Sequence, residues 1–197
     1  MKKVAVFVLF FLFAGLLFSQ NPTPKQINWL SWQEAMIQRE KFIAENKQAL
    51  SEGTAYPKKI FVDVYTSWCG WCKKMDASTF IDPVVVEYMN NNYYAVKMDG
   101  EMKDTIIFNN HTFTNPNPGM NRSSHTLPAS LLDYKLSYPT YILLDENLSR
   151  IAIYPGYKSP EDLLGILLFF KTNQHITYNS FFEEQLKQKE QQKKGGK

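Results

Sequence analysis

"VDVYTSWCGWCKKMD", Val62 to Asp76, holds both cysteines of the chain, Cys69 and Cys72, with Trp68 and Trp71 beside them. Ahead of the pair, "IFVDVYT" is nearly continuous in apolar, β-branched and aromatic residues, the composition of a strand buried on both faces. Behind it, "GWCKKMDASTF" lacks strand character and reads as a helix opening at Cys69. Two thiols at such a junction are metal ligands, a structural staple or a redox pair.

A structural zinc site takes four ligands, and no second cysteine pair exists. The three histidines, His111, His125 and His175, show no ligand-like spacing, so no metal is expected. Covalent haem attachment takes a histidine directly after the second cysteine, where Lys73 stands. As a staple the pair closes a loop so short that it removes little unfolded-state entropy. For redox chemistry the placement fits. The helix N-terminus stabilises a thiolate on Cys69, which makes it the attacking sulfur. Cys72 lies one turn on, on the same face, within bonding reach and less exposed, where it resolves a mixed disulfide.

The first residues, "MKKVAVFVLFFLFAGLLFSQ", have the basic start, apolar run and polar exit of a secretory signal over residues 1–20. The run from Val4 to Phe18 falls short of the roughly 18 residues of a spanning helix. No cysteine follows it, which excludes a lipoprotein anchor; an uncleaved membrane anchor is the alternative. The expected location is periplasmic or otherwise extracytoplasmic, where disulfides persist. The remaining chain suffices for one domain. The full sequence, 44% apolar and 15% aromatic, is globular in character. The charge of +3 includes Lys2 and Lys3, so the mature chain is close to neutral and nucleic acid is not an expected partner.

"SWQE" at Ser31–Glu34 has the form of a capping box, and a helix is predicted from Trp32 to Leu50. Asp82 and Pro83 open a helix over "PVVVEYMNN", and "YYAVKMD" is a second central strand. Residues 101–127 lose periodicity and read as an insertion in which "TIIFNNHTF" is one strand of a hairpin. Then come a helix at "PASLLDYK", two strands at "SYPTYILLDENL" and "SRIAIYPG", and a helix capped by Ser159 and Pro160. Residues 21–175 form the domain. The tail, 176–197, carries a short helix at "SFFEEQLKQKEQQ" and a solvated basic end.

With these elements in order, the chain resembles the thioredoxin superfamily. "WCGWCK" sits where that family has its active site, and "SYPT" matches its cis-proline loop. The resemblance implies an α/β thioredoxin fold, with a central mixed sheet flanked by helices and an insertion before the cis-proline segment. It implies catalytic roles for Cys69, Cys72, Asp63 and Pro139. Asp63, six residues before Cys69, is the buried acid that moves the proton of the second thiol. Trp68, Gly70, Trp71, Tyr138 and Thr140 would contact substrate, with Lys73 and Lys97 supporting and Lys97 beside the Asp63 carboxylate. The cysteine pair carries the electrons, so no cofactor is expected. Partners would be cysteine-containing envelope proteins and a membrane thiol-electron transporter, with the chain a monomer. Trp71 stands where ordinary thioredoxin has proline, which leaves the direction of electron flow open. A fold used only as a scaffold, with an inert disulfide, is the competing reading. The insertion would either shape a partner surface or lengthen the sheet edge.

Overall fold

The computed structural model describes residues 26–195, and the segment read as a secretory signal lies outside them. Helices α1 (Trp32–Glu45) and α2 (Lys47–Ser51) precede strand β1 (Lys59–Tyr65). Helix α3 (Gly70–Ala77), a 3₁₀ turn and α4 (Pro83–Asn92) lead to β2 (Tyr93–Asp99). The insertion supplies β3 (Ile106–Phe108), β4 (His111–Phe113) and the start of α5 (Thr126–Leu131). Strands β5 (Thr140–Leu144) and β6 (Arg150–Pro155) and helices α6 (Pro160–Lys171) and α7 (Gln174–Gly195) complete the chain.

The main sheet runs β2-β1-β5-β6, with β1 and β2 parallel and β5 antiparallel to both of its neighbours. This is the expected mixed sheet. Alternation along β1 divides the core in two. Phe61 points to one face, toward Met75 of α3, Val86 and Met89 of α4, and Leu163 and Leu167 of α6. Ile60, Val62 and Val64 point to the other, toward Trp32 and Ala35 of α1 and Leu131 of α5. Each large side chain so buried contributes about 1.5–3 kcal/mol. Covered on both faces, β1 cannot alternate apolar with polar, which is why its sequence reads as a continuous run.

The helix starts follow their caps. Ser31 Oγ accepts the Glu34 N–H, and Glu34 Oε2 accepts the Ser31 N–H, closing the capping box. Asp82 and Ser159 cap α4 and α6, each ahead of a proline that needs no N–H partner there. The predicted helix from Trp32 to Leu50 is broken. At Asn46 the backbone leaves helical geometry, and its side-chain amide donates to the Phe42 carbonyl, ending α1 and restarting the chain as α2.

The insertion carries the expected hairpin, but over a shorter stretch than predicted. "TIIFNNHTF" is not one strand but a whole hairpin, with Asn109 and Asn110 both in the left-handed region (φ 50 and 61). Two left-handed residues make the tight turn whose twist matches paired strands, and asparagine tolerates that conformation better than most residues. The hairpin forms its own two-stranded sheet and does not lengthen the main one. Two buried polar side chains fasten the loop between the hairpin and α5. Asn115 donates to the carbonyls of Glu101, Met102 and Ser123. His125, fully buried, accepts the Leu127 N–H at Nδ1. Its Nε2 lies 2.9 Å from the Asp104 carbonyl, which can only accept and so places the proton on Nε2.

The tail also departs from its prediction, since α7 is one continuous helix to Gly195. Its glutamine, glutamate and lysine residues are all good helix formers. His175 and Tyr178 pack against Phe169 and Phe170 of α6.

Burial holds the pKa of His125 below the ordinary histidine value, against the carbonyls of Asp104 and Phe113, which favour its charge. A protonated Nδ1 cannot accept the Leu127 N–H. Stability contributed by the neutral ring is therefore complete above the unfolded value of about 6.5 and is lost as pH falls toward the lower folded value. Urea unfolding at pH 7.5 and 5 should show a larger acid loss in the wild type than in His125→Gln. Parallel losses would mean that His125 does not titrate on unfolding.

Candidate active site

Strand β1 ends at Tyr65, and the chain turns through Thr66 so that the Cys69 N–H donates to the Thr66 carbonyl. Cys69 is then the N-cap of α3, its Sγ accepting the Cys72 N–H at 3.0 Å. The two sulfurs are joined in a disulfide. Both cysteines are buried, Cys72 more so than Cys69, while Trp68 and Trp71 are 51% and 57% exposed. A Cβ at Gly70 would meet nothing within 4 Å, so open space adjoins the disulfide.

The Tyr138–Pro139 peptide is cis, as the loop motif led us to expect. The Tyr138 and Trp68 rings meet edge to face, 5.8 Å between centroids, and so join the proline loop to the cysteine loop. Gly100 makes room for this, because a Cβ there would stand 2.6 Å from the Tyr138 hydroxyl. The Pro139 carbonyl is already taken by the Gly156 N–H. Tyr138, by contrast, has no backbone hydrogen bond among the described residues, which leaves its N–H and C=O for an incoming strand. Thr140 faces inward, its hydroxyl donating to the Ser137 carbonyl, so its side chain braces the loop and does not face the surface.

Beneath α3 lies a polar row across three strands. Asp63 on β1 is paired in register with Lys97 on β2 and Tyr141 on β5, and all three share the face that carries Phe61. Asp63 is 1% exposed, and its Oδ2 accepts from Lys97 Nζ at 2.7 Å. Among the described residues its Oδ1, the Tyr141 hydroxyl and the Thr66 hydroxyl have no hydrogen-bond partner. The Lys97 ammonium also pairs with Asp76 and lies about 5 Å from the ring centroids of Trp29, Tyr65 and Phe80. Beside it, an open cleft of about 660 Å³ gives Lys97 and Asp76 access to solvent.

Burial raises the Asp63 pKa to about 6, overcoming the attraction of Lys97, while the Asp76 charge adds to the rise. The ion-pair partners therefore shift in opposite senses. For Lys97 burial disfavours the charge, but two carboxylates outweigh it and hold the ammonium above the ordinary lysine value. The asymmetry is physical. Asp63 is wholly buried with one cation, whereas Lys97 reaches solvent and has two anions. Burial, and then the Asp63 charge, also push the Tyr141 hydroxyl above the usual tyrosine range.

The expected residues come together with four differences in detail, of which the inward-facing Thr140, predicted to contact substrate, is the first. Lys73 is exposed and has no ion pair among the described residues, and the cation that lies on Trp71 is Lys74, 4.8 Å from the ring centroid. Asp76 shares the Lys97 ammonium and was not anticipated. Its spacing of four from Cys72 places both on one helix face, a signal legible in the sequence. Glu101 and Arg122 from the insertion close on Trp68. Glu101 accepts the indole N–H at 3.0 Å, and the Arg122 guanidinium lies 5.3 Å from the Trp68 ring centroid.

A buried Cys-x-x-Cys at a helix start, a cis-proline loop beside it and a mixed four-stranded sheet place the protein in the thioredoxin superfamily. The family described as "Thioredox_DsbH: Protein of unknown function, DUF255" matches residues 17–119, and the chain belongs to it. That span includes Asp63, both cysteines and Lys97 and ends before Pro139. No curated protein matches the chain. Among solved structures, a putative disulphide-isomerase from Bacteroides thetaiotaomicron is 22% identical, covering 73% of this chain and 93% of that one, at a TM-score of 0.46. A thioredoxin from Thermus thermophilus is 13% identical, covering 72% and 85%, also at 0.46. A DsbH oxidoreductase is 18% identical, covering 73% and 83%, at 0.44. None of these likenesses assigns a role to a residue.

The Asp63 pKa has a consequence for stability. The folded chain keeps a proton on Asp63 up to about pH 6, while the unfolded chain releases it near 4. Stability therefore falls as pH rises through that window, and the loss is complete above it, at about 3 kcal/mol. Urea titrations at pH 4 and 7.5 should show Asp63→Asn gaining about that much on the wild type between the two pH values. A constant gap would mean that Asp63 ionises normally in the folded chain.

Proposed function

We propose that this chain is an exported thiol–disulfide oxidoreductase, acting as a reductase on cysteine-containing proteins of the cell envelope. The fold, the family and the closely spaced cysteine pair support an oxidoreductase-like role. The observation that carries the reading is the Cys69–Cys72 pair at the start of α3 with a carboxylate buried behind it. An inert scaffold has no use for a charge whose burial costs about 3 kcal/mol.

In the reduced form the Cys69 thiolate, stabilised by the helix N-terminus, attacks a substrate disulfide. A mixed disulfide forms, and one substrate thiolate leaves and takes up a proton. Cys72 then gives its proton to the Asp63 carboxylate and attacks the Cys69 sulfur. The second substrate thiolate is released and the Cys69–Cys72 bond closes. Two electrons have passed to the substrate, and the cysteines need no separate cofactor. Tyr138 beside Pro139 pairs with the substrate backbone, while Trp68 and Trp71 frame the approach. Reduction of the resulting disulfide falls to a membrane thiol-electron transporter. Export rests on the first 20 residues, and no helix among the described residues is long and apolar enough to cross a membrane.

In a disulfide-reduction assay Cys69→Ser should abolish turnover, and Cys72→Ser should accumulate mixed disulfides visible on non-reducing gels. The resolving step in the wild type should accelerate as pH rises through about 6, where Asp63 becomes a base, and Asp63→Asn should lose that rise. A Cys69–Cys72 bond that resists mild reductant would instead identify an inert bridge.

A further inference from the structure

The two tryptophans that flank the disulfide each carry a cation. The Arg122 guanidinium lies over Trp68, and the Lys74 ammonium lies over Trp71 and also 5.0 Å from the ring centroid of Tyr157. Neither cation, nor the neighbouring Lys73, has a carboxylate within ion-pairing distance among the described residues. Of the carboxylates close by, Asp76 is paired with Lys97, Glu161 lies near Tyr157, and Glu101 accepts the Trp68 indole N–H and keeps its own charge at the groove. An exposed cation on an aromatic face gains only about 0.5–1 kcal/mol. Such a contact holds the head group in place and leaves its donors free.

Arg122 is held with purpose. Its backbone is left-handed (φ 62), a conformation few non-glycine residues adopt, and the turn around it is tied down through Asn115 and Ser123. Under it runs a groove of about 260 Å³ lined by Trp68, Glu101, Arg122, Leu136 and Tyr138. The groove starts at the residue before Cys69 and the residue before Pro139. It therefore continues the surface on which a substrate strand would lie. Successive residues of an extended segment advance about 3.3 Å, so the residues next to a substrate cysteine would lie over the flanking surface that carries Trp68 and Trp71.

Building on the thiol–disulfide reading, we infer that Arg122 and Lys74 form a cationic, aromatic collar around Cys69 that selects disulfides in acidic polypeptide segments. Arg122 pairs with a substrate carboxylate through its planar fork of donors, and Lys74 adds a second positive charge across the disulfide. The groove floor, with Leu136 and Tyr138, receives an apolar side chain of the same segment. Chemistry at the sulfurs is unchanged. The substrate disulfide gains two electrons and two protons as the Cys69–Cys72 dithiol closes. The collar acts on encounter and register.

The test uses the reduced full chain and two synthetic peptides, each closed by one internal disulfide, with glutamates or lysines flanking the cysteines. Oxidation of the protein is followed by tryptophan fluorescence, and each rate is divided by the rate with hydroxyethyl disulfide, a small neutral substrate. The wild type should prefer the glutamate peptide by about tenfold at low salt, with the ratio shrinking as salt screens the charges. The double variant Arg122→Glu with Lys74→Glu should invert the ratio. Equal wild-type rates with the two peptides, or a ratio the double variant leaves unchanged, would overturn the collar. If hydroxyethyl disulfide is reduced while the peptides are not discriminated, only this inference fails. If neither hydroxyethyl disulfide nor either peptide is reduced, the oxidoreductase reading fails with it.

Discussion

Asp63 interrupts the apolar pattern of β1 at its centre, and the side chains around it are arranged to accommodate that one carboxylate. A charge on a strand covered on both faces must find a partner within the protein. Register supplies it, because the parallel pairing of β1 with β2 sets Lys97 directly opposite. Lys97 is in turn held by three aromatic rings and by Asp76 on α3, the helix that carries Cys72. One cation thus links β1, β2 and α3. The cysteine helix is consequently tied to the sheet by charge as well as by Met75 and its apolar neighbours.

The same row explains how a carboxylate can work as a base without leaving the core. Burial strips the Asp63 carboxylate of water, Lys97 offsets this only in part and Asp76 adds its own negative charge, so the proton affinity of Asp63 rises to the range where it can both take and release a proton near neutrality. Asp63 and Tyr141 are paired in register, and Oδ1 of the one and the hydroxyl of the other have no hydrogen-bond partner among the described residues. The cleft on the far side of Lys97 gives the network an outlet to solvent.

Much of this was legible in the sequence because it depends on local pattern. The buried strand, the helix opening at Cys69, the caps at Ser31, Asp82 and Ser159 and the loop at Pro139 each have a short-range signature. Two local signals went unread: Lys74 stands three residues from Trp71 and Asp76 four from Cys72, and each pair shares one face of α3. Arg122 was invisible because it depends on a contact between distant segments. Its value comes from meeting Trp68 across more than fifty residues of chain. The hairpin is a different case. Asn109 and Asn110 carry the turn signal in the sequence itself, and the two asparagines divide "TIIFNNHTF" into halves too short for either to announce a strand alone.

The first turn of α3 separates two uses of positive charge. On the buried side a single lysine is saturated by carboxylates, so its field goes into fixing the protonation of Asp63 and the seat of the helix. On the exposed side Arg122 and Lys74 rest on aromatic faces, contacts too weak to satisfy them, in a region where water would screen an ordinary surface pair to almost nothing. A partner strand that covers the two tryptophans would exclude that water and strengthen any ion pair formed beneath it. The insertion is built to make that possible. Asn115 and His125 turn inward on the backbone of the insertion, so that Arg122 is presented over the Trp68 ring from a fixed turn.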